Sequence, residues 1–236
     1  MFAVIDYRTP ISACHALAQH GLSLIKLPPN PKLAAPVAGH PDMLLFFGKD
    51  GIFCASSYLA FARESLSVLS KKTARPVIPI DEEPKNVYPF DVLLNAVPIG
   101  KHLFCHAAHT AKMLLNHRLY QPVPVRQGYA KCSVIPVSDT AMITDDPSIA
   151  TAASQQGIDV LQLSSHGVRL TGYDTGFIGG AASFAPYGNY ESIFFCGRLE
   201  DHPEADKIKE FCKKYQKSVI SLGDFPLTDV GTIFLI

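Results

Sequence analysis

The sequence predicts an α/β fold: five β-β-α-β units in a pseudosymmetric propeller, the ring closed by the C-terminal strand pairing with the N-terminal unit. Three observations predict it. Short apolar segments bounded by Gly, Pro and Asp alternate with helical stretches in a fixed order of strand, turn, strand, helix, strand. That order recurs at intervals of roughly 41 to 55 residues, counted from Asp42 to Asp91, Cys132, Asp174 and Asp229, and a near-constant period of this size signals a repeat architecture. Finally, the two chain ends each supply part of one unit, so that joining them completes the fifth and hides both sheet edges.

The elements follow in order. Residues 2–6 are an apolar strand, 10–20 a helix that Pro10 opens and Gly21 ends, and 22–27 a strand; proline suits a first helical turn and glycine the position after the last. In the unit 40–80, strands 43–47 and 51–55 flank the Lys49-Asp50-Gly51 turn, with Ser57 capping a helix over 57–71 and a strand at 76–80. In the unit 89–125, strands 91–95 and 102–106 flank Gly100, before a helix over 107–117 and a strand at 122–125. In the unit 130–163, strands 132–137 and 140–144 flank Ser138-Asp139, and Pro147 and Gly157 bracket a helix over 147–156 before a strand at 158–163. A strand at 167–170 leads to the unit 172–222. There, strands 176–179 and 192–196 connect through Pro186-Tyr187-Gly188-Asn189, with a helix over 203–216 near Asp201 and Pro203 and a strand at 218–222. Residues 230–236 close the ring onto 1–27. The third strands share a pattern, as in Val77-Ile78-Pro79-Ile80, Val160-Leu161-Gln162-Leu163 and Val219-Ile220-Ser221-Leu222. Because the fifth unit needs both termini, the 236 residues are expected to form one domain.

Composition narrows the function. Charged residues are 18%, hydrophobic residues 47% and the formal net charge is zero. Disorder needs the opposite balance, and general nucleic-acid binding needs a basic face to neutralise phosphates. No stretch has the roughly 20 apolar residues of a membrane span, and the N-terminus lacks the basic flank of a signal peptide. The six cysteines, Cys14, Cys54, Cys105, Cys132, Cys196 and Cys212, are scattered without a CxxC pair. Together these features predict a cytoplasmic protein with buried thiols. The expected partner is a small molecule in a central channel, with no nucleic acid, membrane or cofactor; the oligomeric state is left open.

Several segments carry a resemblance: Gly128-Tyr129-Ala130-Lys131-Cys132-Ser133, Ile143-Thr144-Asp145-Asp146, Gly172-Tyr173-Asp174-Thr175-Gly176-Phe177-Ile178-Gly179-Gly180 and Leu227-Thr228-Asp229-Val230-Gly231. With the five-unit organisation, they make the chain resemble the pentein superfamily of guanidino-group-modifying enzymes, and within it an uncharacterised bacterial family. Arginine deiminase, dimethylarginine dimethylaminohydrolase, amidinotransferases and agmatine deiminase share that fold, as does a non-catalytic ribosome-binding translation factor. The resemblance implies a Cys nucleophile on the final unit, in a Gly-Gly-x-His-Cys segment. Here that stretch reads Val230-Gly231-Thr232-Ile233-Phe234, with Phe234 or a neighbour standing at the Cys position and no adjacent His.

A nucleophile must then come from another unit, and Cys132 is the candidate. It sits at the start of a channel-lining strand beside Lys131, whose ammonium favours thiolate. Side-chain alternation along that strand would let only one of the two face the channel. His40 and Asp42 offer a base and an orienting carboxylate; their plainer reading is a polar loop. Asp91 and Asn95, with Asp174 and Asp229, occupy matching places in their units. With Lys131 they are the candidate substrate-binding residues, since carboxylates ringing a channel bind a guanidinium or ammonium. Aspartates at strand starts also cap turns. Cys105, His106 and His109 lack a fourth donor for zinc, so no metal is expected. Gly172–Gly180 leads into a strand rather than a helix and is no dinucleotide fingerprint. Two functions remain open: a Cys-dependent hydrolase or amidinotransferase on a small cationic substrate, and a non-catalytic module that binds a metabolite or protein.

Overall fold

The computed structural model describes residues 1–164, 167–188 and 190–236. It begins with β1 (Phe2–Asp6), α1 (Ile11–Gln19) and β2 (Ser23–Leu27). A short helix α2 (Pro41–Leu44) precedes β3 (Phe46–Gly48), β4 (Gly51–Ala55), α3 (Ser56–Phe61), α4 (Arg63–Thr73) and β5 (Val77–Ile80). Next come β6 (Val97–Ile99), β7 (His102–Cys105), α5 (Lys112–Leu115) and β8 (Gln121–Pro124). These are followed by β9 (Val134–Ser138), β10 (Ala141–Thr144), α6 (Pro147–Gln155) and β11 (Asp159–Gln162). Last are β12 (Ser183–Phe184), β13 (Ser192–Phe195), α7 (Ala205–Lys214), β14 (Ser218–Ser221) and β15 (Ile233–Leu235).

Among the described residues the strands form five separate sheets, in the orders β3-β4-β5, β6-β7-β8, β9-β10-β11, β13-β14 and β12-β15-β1-β2. In each of the first three, the middle strand is antiparallel to its hairpin partner and parallel to the strand after the helix. The C-terminal β15 pairs antiparallel with β1, Ala3 opposite Leu235 and Val4 opposite Phe234. It also pairs in parallel with β12 through Ser183 and Ile233. One apolar cluster joins Val4, Leu44, Phe47, Tyr58 and Leu66 to Cys132 and Phe234, far apart in sequence. Among the described residues, no helix is long and apolar enough to cross a membrane.

The structure corrects several expected elements. The inner strands start later than the apolar runs suggest. Residues 91–95 are turns, so β6 starts at Val97, and 41–44 is a helical turn rather than the beginning of a strand. Residues 130–133 also form a turn, in which Ser133 N donates to Tyr129 O at 3.0 Å. A helical turn and a short buried strand are both continuous apolar runs in sequence, so periodicity cannot separate them. The helix expected over 57–71 breaks at Ala62, and that over 107–117 contracts to α5. There Ala111 is extended, and its N–H is held by Leu93 O at 2.9 Å. Residues 167–170 contribute one bridge, Arg169 to Thr228, and 176–179 form no strand. Asn189, in the expected hairpin connection, lies outside the described residues.

Candidate functional site

The turns that precede the inner strands gather the polar side chains. Pro41 occupies the first position of α2, where its missing N–H costs nothing, and so places Asp42 in the first turn with His40 just ahead. Asp42 N donates to Gly231 O at 3.1 Å, docking α2 on the segment before β15. Gly231 has φ +72°, and a Cβ there would lie 2.2 Å from His40 Cβ, so glycine is required on both counts. A Cβ on Gly180 would meet Asp229 Oδ1 at 2.1 Å. The glycine-rich stretch therefore lets one backbone approach a carboxylate. Gly180 N donates to Cys132 O at 2.8 Å, and Thr232 N donates to Gly180 O at 2.9 Å, tying three turns together.

Cys132 stands at the centre, 3% exposed. Its Sγ is 3.3 Å from Asp42 Oδ2 and accepts from Asn95 Nδ2 at 3.0 Å. Asn95 Oδ1 takes the N–H groups of Lys131 at 2.8 Å and Cys132 at 3.3 Å, which holds the turn in place. Because 130–133 is a turn, strand alternation does not apply, and Lys131 joins Cys132 in the cluster. This overturns the expectation that only one of them could face inward. Lys131 Nζ donates to Thr232 Oγ1 at 2.9 Å and Val134 O at 3.1 Å, and lies 5.6 Å from the Phe184 ring centre and 5.9 Å from that of Phe234. Thr232 Oγ1 in turn donates to Asp42 Oδ2 at 2.8 Å. Asp229 accepts the backbone N–H of Gly231 at 2.9 Å and of Phe177 at 3.0 Å. His40 Nδ1 is 3.7 Å from Asp229 Oδ1, too far for a hydrogen bond.

Burial dominates the electrostatics. It pushes the Cys132 thiol well above its ordinary range, reinforced by the charges of Asp42 and Asp229. It raises Asp42, against the opposing pull of His40, and raises Asp229 to about 6 against its two backbone donors. It lowers Lys131 to about 8, with Asp42 opposing, and lowers His40, so His40 and Asp229 are not an ion pair near neutral pH. Three buried atoms here have no hydrogen-bond partner: Asp42 Oδ1, His40 Nδ1 and Asp91 Oδ1.

Asp91 lies in a second layer, its Oδ2 taking the Tyr129 hydroxyl at 2.6 Å. The Tyr129 ring is 5.7 Å from Phe177 and 5.3 Å from Tyr88, forming an aromatic cover. Asp174 departs from the predicted ring: it is exposed, in the turn 171–174 rather than at a strand start, while Asp91 and Asp229 are buried. Phe234 packs 4.4 Å from Phe47 and 6.1 Å from Phe184, as an apolar floor beneath Lys131. Among the described residues, no group of three or more His, Cys, Asp or Glu side chains is placed to hold a metal ion. The His106 and His109 rings lie tilted at 42° with their centres 4.9 Å apart.

Two features escaped the sequence reading. Thr232 is fully buried with φ +66°, a costly conformation for a β-branched residue. Its signal in the sequence is its place, directly before an inner strand as Lys131-Cys132 are. Asp6 is the other. It pairs with Arg8 at 2.6 Å, and Arg8 also donates to Ala35 O at 2.9 Å and Pro36 O at 2.8 Å, pinning the loop that delivers His40.

Solved structures share this fold at low identity. The amidinotransferase SxtG of the saxitoxin biosynthetic pathway of Microseira wollei is 10% identical with a TM-score of 0.54, covering 92% of this chain and 73% of its own. A dimethylarginine dimethylaminohydrolase variant in adduct with S-methyl-L-thiocitrulline is 11% identical with a TM-score of 0.52, covering 93% of this chain and 91% of its own. The agmatine deiminase of C. jejuni is 8% identical with a TM-score of 0.51, covering 94% and 87%. All three are pentein-fold guanidino-modifying enzymes, so the chain has the fold of that superfamily. No curated protein sequence matches it. Residues 4–234 match the sequence profile of DUF6873, a family of unknown function, and the chain belongs to that family.

Proposed function

We propose that this chain is a thiol-dependent enzyme acting on a small cationic amidine- or guanidine-type substrate, with Cys132 as nucleophile. In this reading the five sheets stand around one axis as the blades of a closed propeller, and the cluster lies in its channel. A single observation carries the proposal: the Cys132 thiol sits 3.3 Å from Asp42, whose other carboxylate oxygen is buried without a partner. An amidinium N–H supplies the donor that oxygen lacks, and unpaired buried acceptors are costly enough to demand a use. The substrate's charge beside Sγ also favours thiolate, offsetting the burial that otherwise keeps the thiol protonated. Asp42 takes the thiol proton. Sγ then bonds to the central carbon while a C–N π pair moves onto nitrogen. The leaving amine takes a proton from Lys131, whose position near 8 suits an acid-base group working close to neutral pH. The neutral Lys131 amine then accepts a proton from the attacking water or amine as it bonds to the central carbon, the C–Sγ bond breaks, and the released thiolate recovers its proton from Asp42. Asp229 holds the far side of the cation, and the cover of Tyr88, Tyr129 and Phe177 opens to admit it. Six buried, unpaired cysteines fit a reducing, cytoplasmic setting.

Lys131 also favours a second reading. Its ammonium already lies among the carboxylates that a substrate cation would use, as in a module that has lost turnover. Alkylation distinguishes the two. With 2-chloroacetamidine, a cationic amidine reagent, Cys132 is expected to label at least ten times faster than the other five cysteines, and Cys132→Ser should abolish the fast phase. If Cys132 labels no faster than the rest, the enzyme reading fails and the binding module stands.

A further inference from the structure

A second compartment lies beyond the aromatic floor. Phe184 is shared between the two: one side of its ring is near Lys131, and it also lines a cavity of about 670 Å³ that contains none of the thiol-cluster residues. This size suits a small organic ligand. The cavity is built from the hairpin turns, including Lys49 between β3 and β4, Gly100 between β6 and β7, and Asp139 between β9 and β10. Its charged lining is Lys49, Arg75 and Lys217 against Asp139 alone.

The cations are held in place rather than loose. Arg75 stacks 3.6 Å from the Tyr187 ring centre, and its Nη1 donates to Lys49 O at 2.6 Å. Lys49 N donates to the Tyr120 hydroxyl at 3.0 Å, and the Tyr187 hydroxyl donates to Gly51 O at 3.3 Å. Lys49 Nζ lies 5.6 Å from the Tyr120 ring centre, and Lys217 Nζ donates to Tyr190 O at 2.6 Å. Among the described residues no carboxylate pairs with Lys49 or Arg75; the nearby Asp50 is taken by His117 at 2.9 Å. Stacking and the Nη1 bond fix the guanidinium plane. Its Nε and Nη2 remain as a fork for two oxygens, the geometry arginine uses for carboxylate and phosphate.

We propose that this cavity is a binding site for a small multivalent oxyanion, separate from the thiol cluster, with Arg75 and Lys49 as its anchors. The ligand is either a phosphorylated metabolite or a polycarboxylate. The test is calorimetric titration and thermal melting with inorganic pyrophosphate and with citrate, at constant ionic strength, on the whole chain. At least one should bind saturably with a Kd below about 1 mM and raise Tm by about 2 °C or more. Pyrophosphate alone identifies a phosphorylated ligand, citrate alone a polycarboxylate, and binding of both an oxyanion site without that selectivity. Arg75→Gln should weaken binding at least tenfold, while Cys132→Ser leaves it unchanged, which separates this site from the proposed chemistry. Arg75 also braces a turn, so Lys49→Gln, which keeps every backbone bond, is the second variant and should weaken binding at least threefold. Binding of neither anion, or equal affinity in Lys49→Gln, overturns the proposal.

Discussion

A lysine ammonium with 2% of its surface exposed is costly to bury. Two oxygen acceptors and two aromatic rings surround it, yet desolvation still brings its pKa down from 10.5 to about 8. The consequence for stability has a definite sign. Between pH 8 and 10.5 the unfolded chain carries a proton on Lys131 that the folded chain has released, so the Lys131 contribution to stability rises with pH across that window. Below pH 8 both states are protonated and the cost of burial is fully present. At 1.36 kcal/mol per pKa unit, the rise is on the order of 3 kcal/mol. Lys131→Met removes it. Urea unfolding of both proteins from pH 7 to 10.5 should therefore show wild type gaining on the variant as pH increases; a flat difference would mean the ammonium is not desolvated. The sequence already marked His40, Asp42, Asn95, Lys131, Cys132 and Asp229, because polar residues next to apolar strand runs stand out. It did not mark Thr232, since nothing in the letter Thr announces a left-handed backbone. It also placed Asp174 in the ring, because one aspartate before a glycine-rich run reads like another until the chain path shows one buried and one exposed.

At the scale of elements, the candidate site sits in the turns and the strands serve as their mounts. The segment that presents Lys131 and Cys132 is braced from α6. Asp146 caps that helix, accepting the Ile149 N–H at 2.9 Å, and also holds Gln127 Nε2 at 3.3 Å. Gln127 Oε1 takes the Tyr129 N–H at 3.1 Å, so a helix cap steadies the aromatic cover. Asp146→Ala loses the cap, worth about 1 kcal/mol, and lowers Tm by about 2–4 °C in a chain of this size. It should also speed labelling of Cys132 by neutral iodoacetamide, because the cover loosens. Asp146→Ser restores most of the cap without reaching Gln127, so its Tm should recover while the faster labelling persists. Labelling that tracks Tm across both variants would show that the stability of the cap, and not the Asp146–Gln127 bond, sets access to Cys132. The helix over 147–156 is legible from Pro147 and Gly157, whereas its Asp146 cap is one of two adjacent aspartates that the sequence does not tell apart. The strand starts were read too early for a different reason. Met43-Leu44-Leu45 and Val92-Leu93-Leu94 are buried on every side, and an unbroken apolar run has no period to reveal a helical turn.

At the scale of the whole molecule, zero net charge conceals two local fields of opposite sign: carboxylates around the thiol and cations in the cavity past Phe184. The order of strand, strand, helix and strand is legible in the units 40–80, 89–125 and 130–163 because each repeats its punctuation, whereas in 172–222 the expected first strand at 176–179 does not form. The sharing of the last unit between the termini was legible because neither end completes a unit alone. What was not legible is that β12 pairs with β15 and meets β13 only through the Ala182–Phe195 bridge. That depends on a two-residue strand too short to leave a pattern. The shared unit makes a strong demand on folding. Residues 1–120 carry α1 to α5 but stop short of β8, so β7 would lose its parallel partner and β1 would lose β15, exposing an unpaired edge at Ala3 and Val4. The apolar cluster around Leu44, Phe47 and Tyr58 would lose Cys132 and Phe234, and Asp42 would lose Thr232. A 1–120 fragment should therefore be aggregated or lack a cooperative urea transition. Deleting only 229–236 should do nearly the same damage, although it removes far less of the chain, because β15 lies between β12 and β1 and carries Thr232 into the cluster beside it. Two independently folding halves would instead give the 1–120 fragment its own sharp transition, with a denaturant slope in proportion to its size.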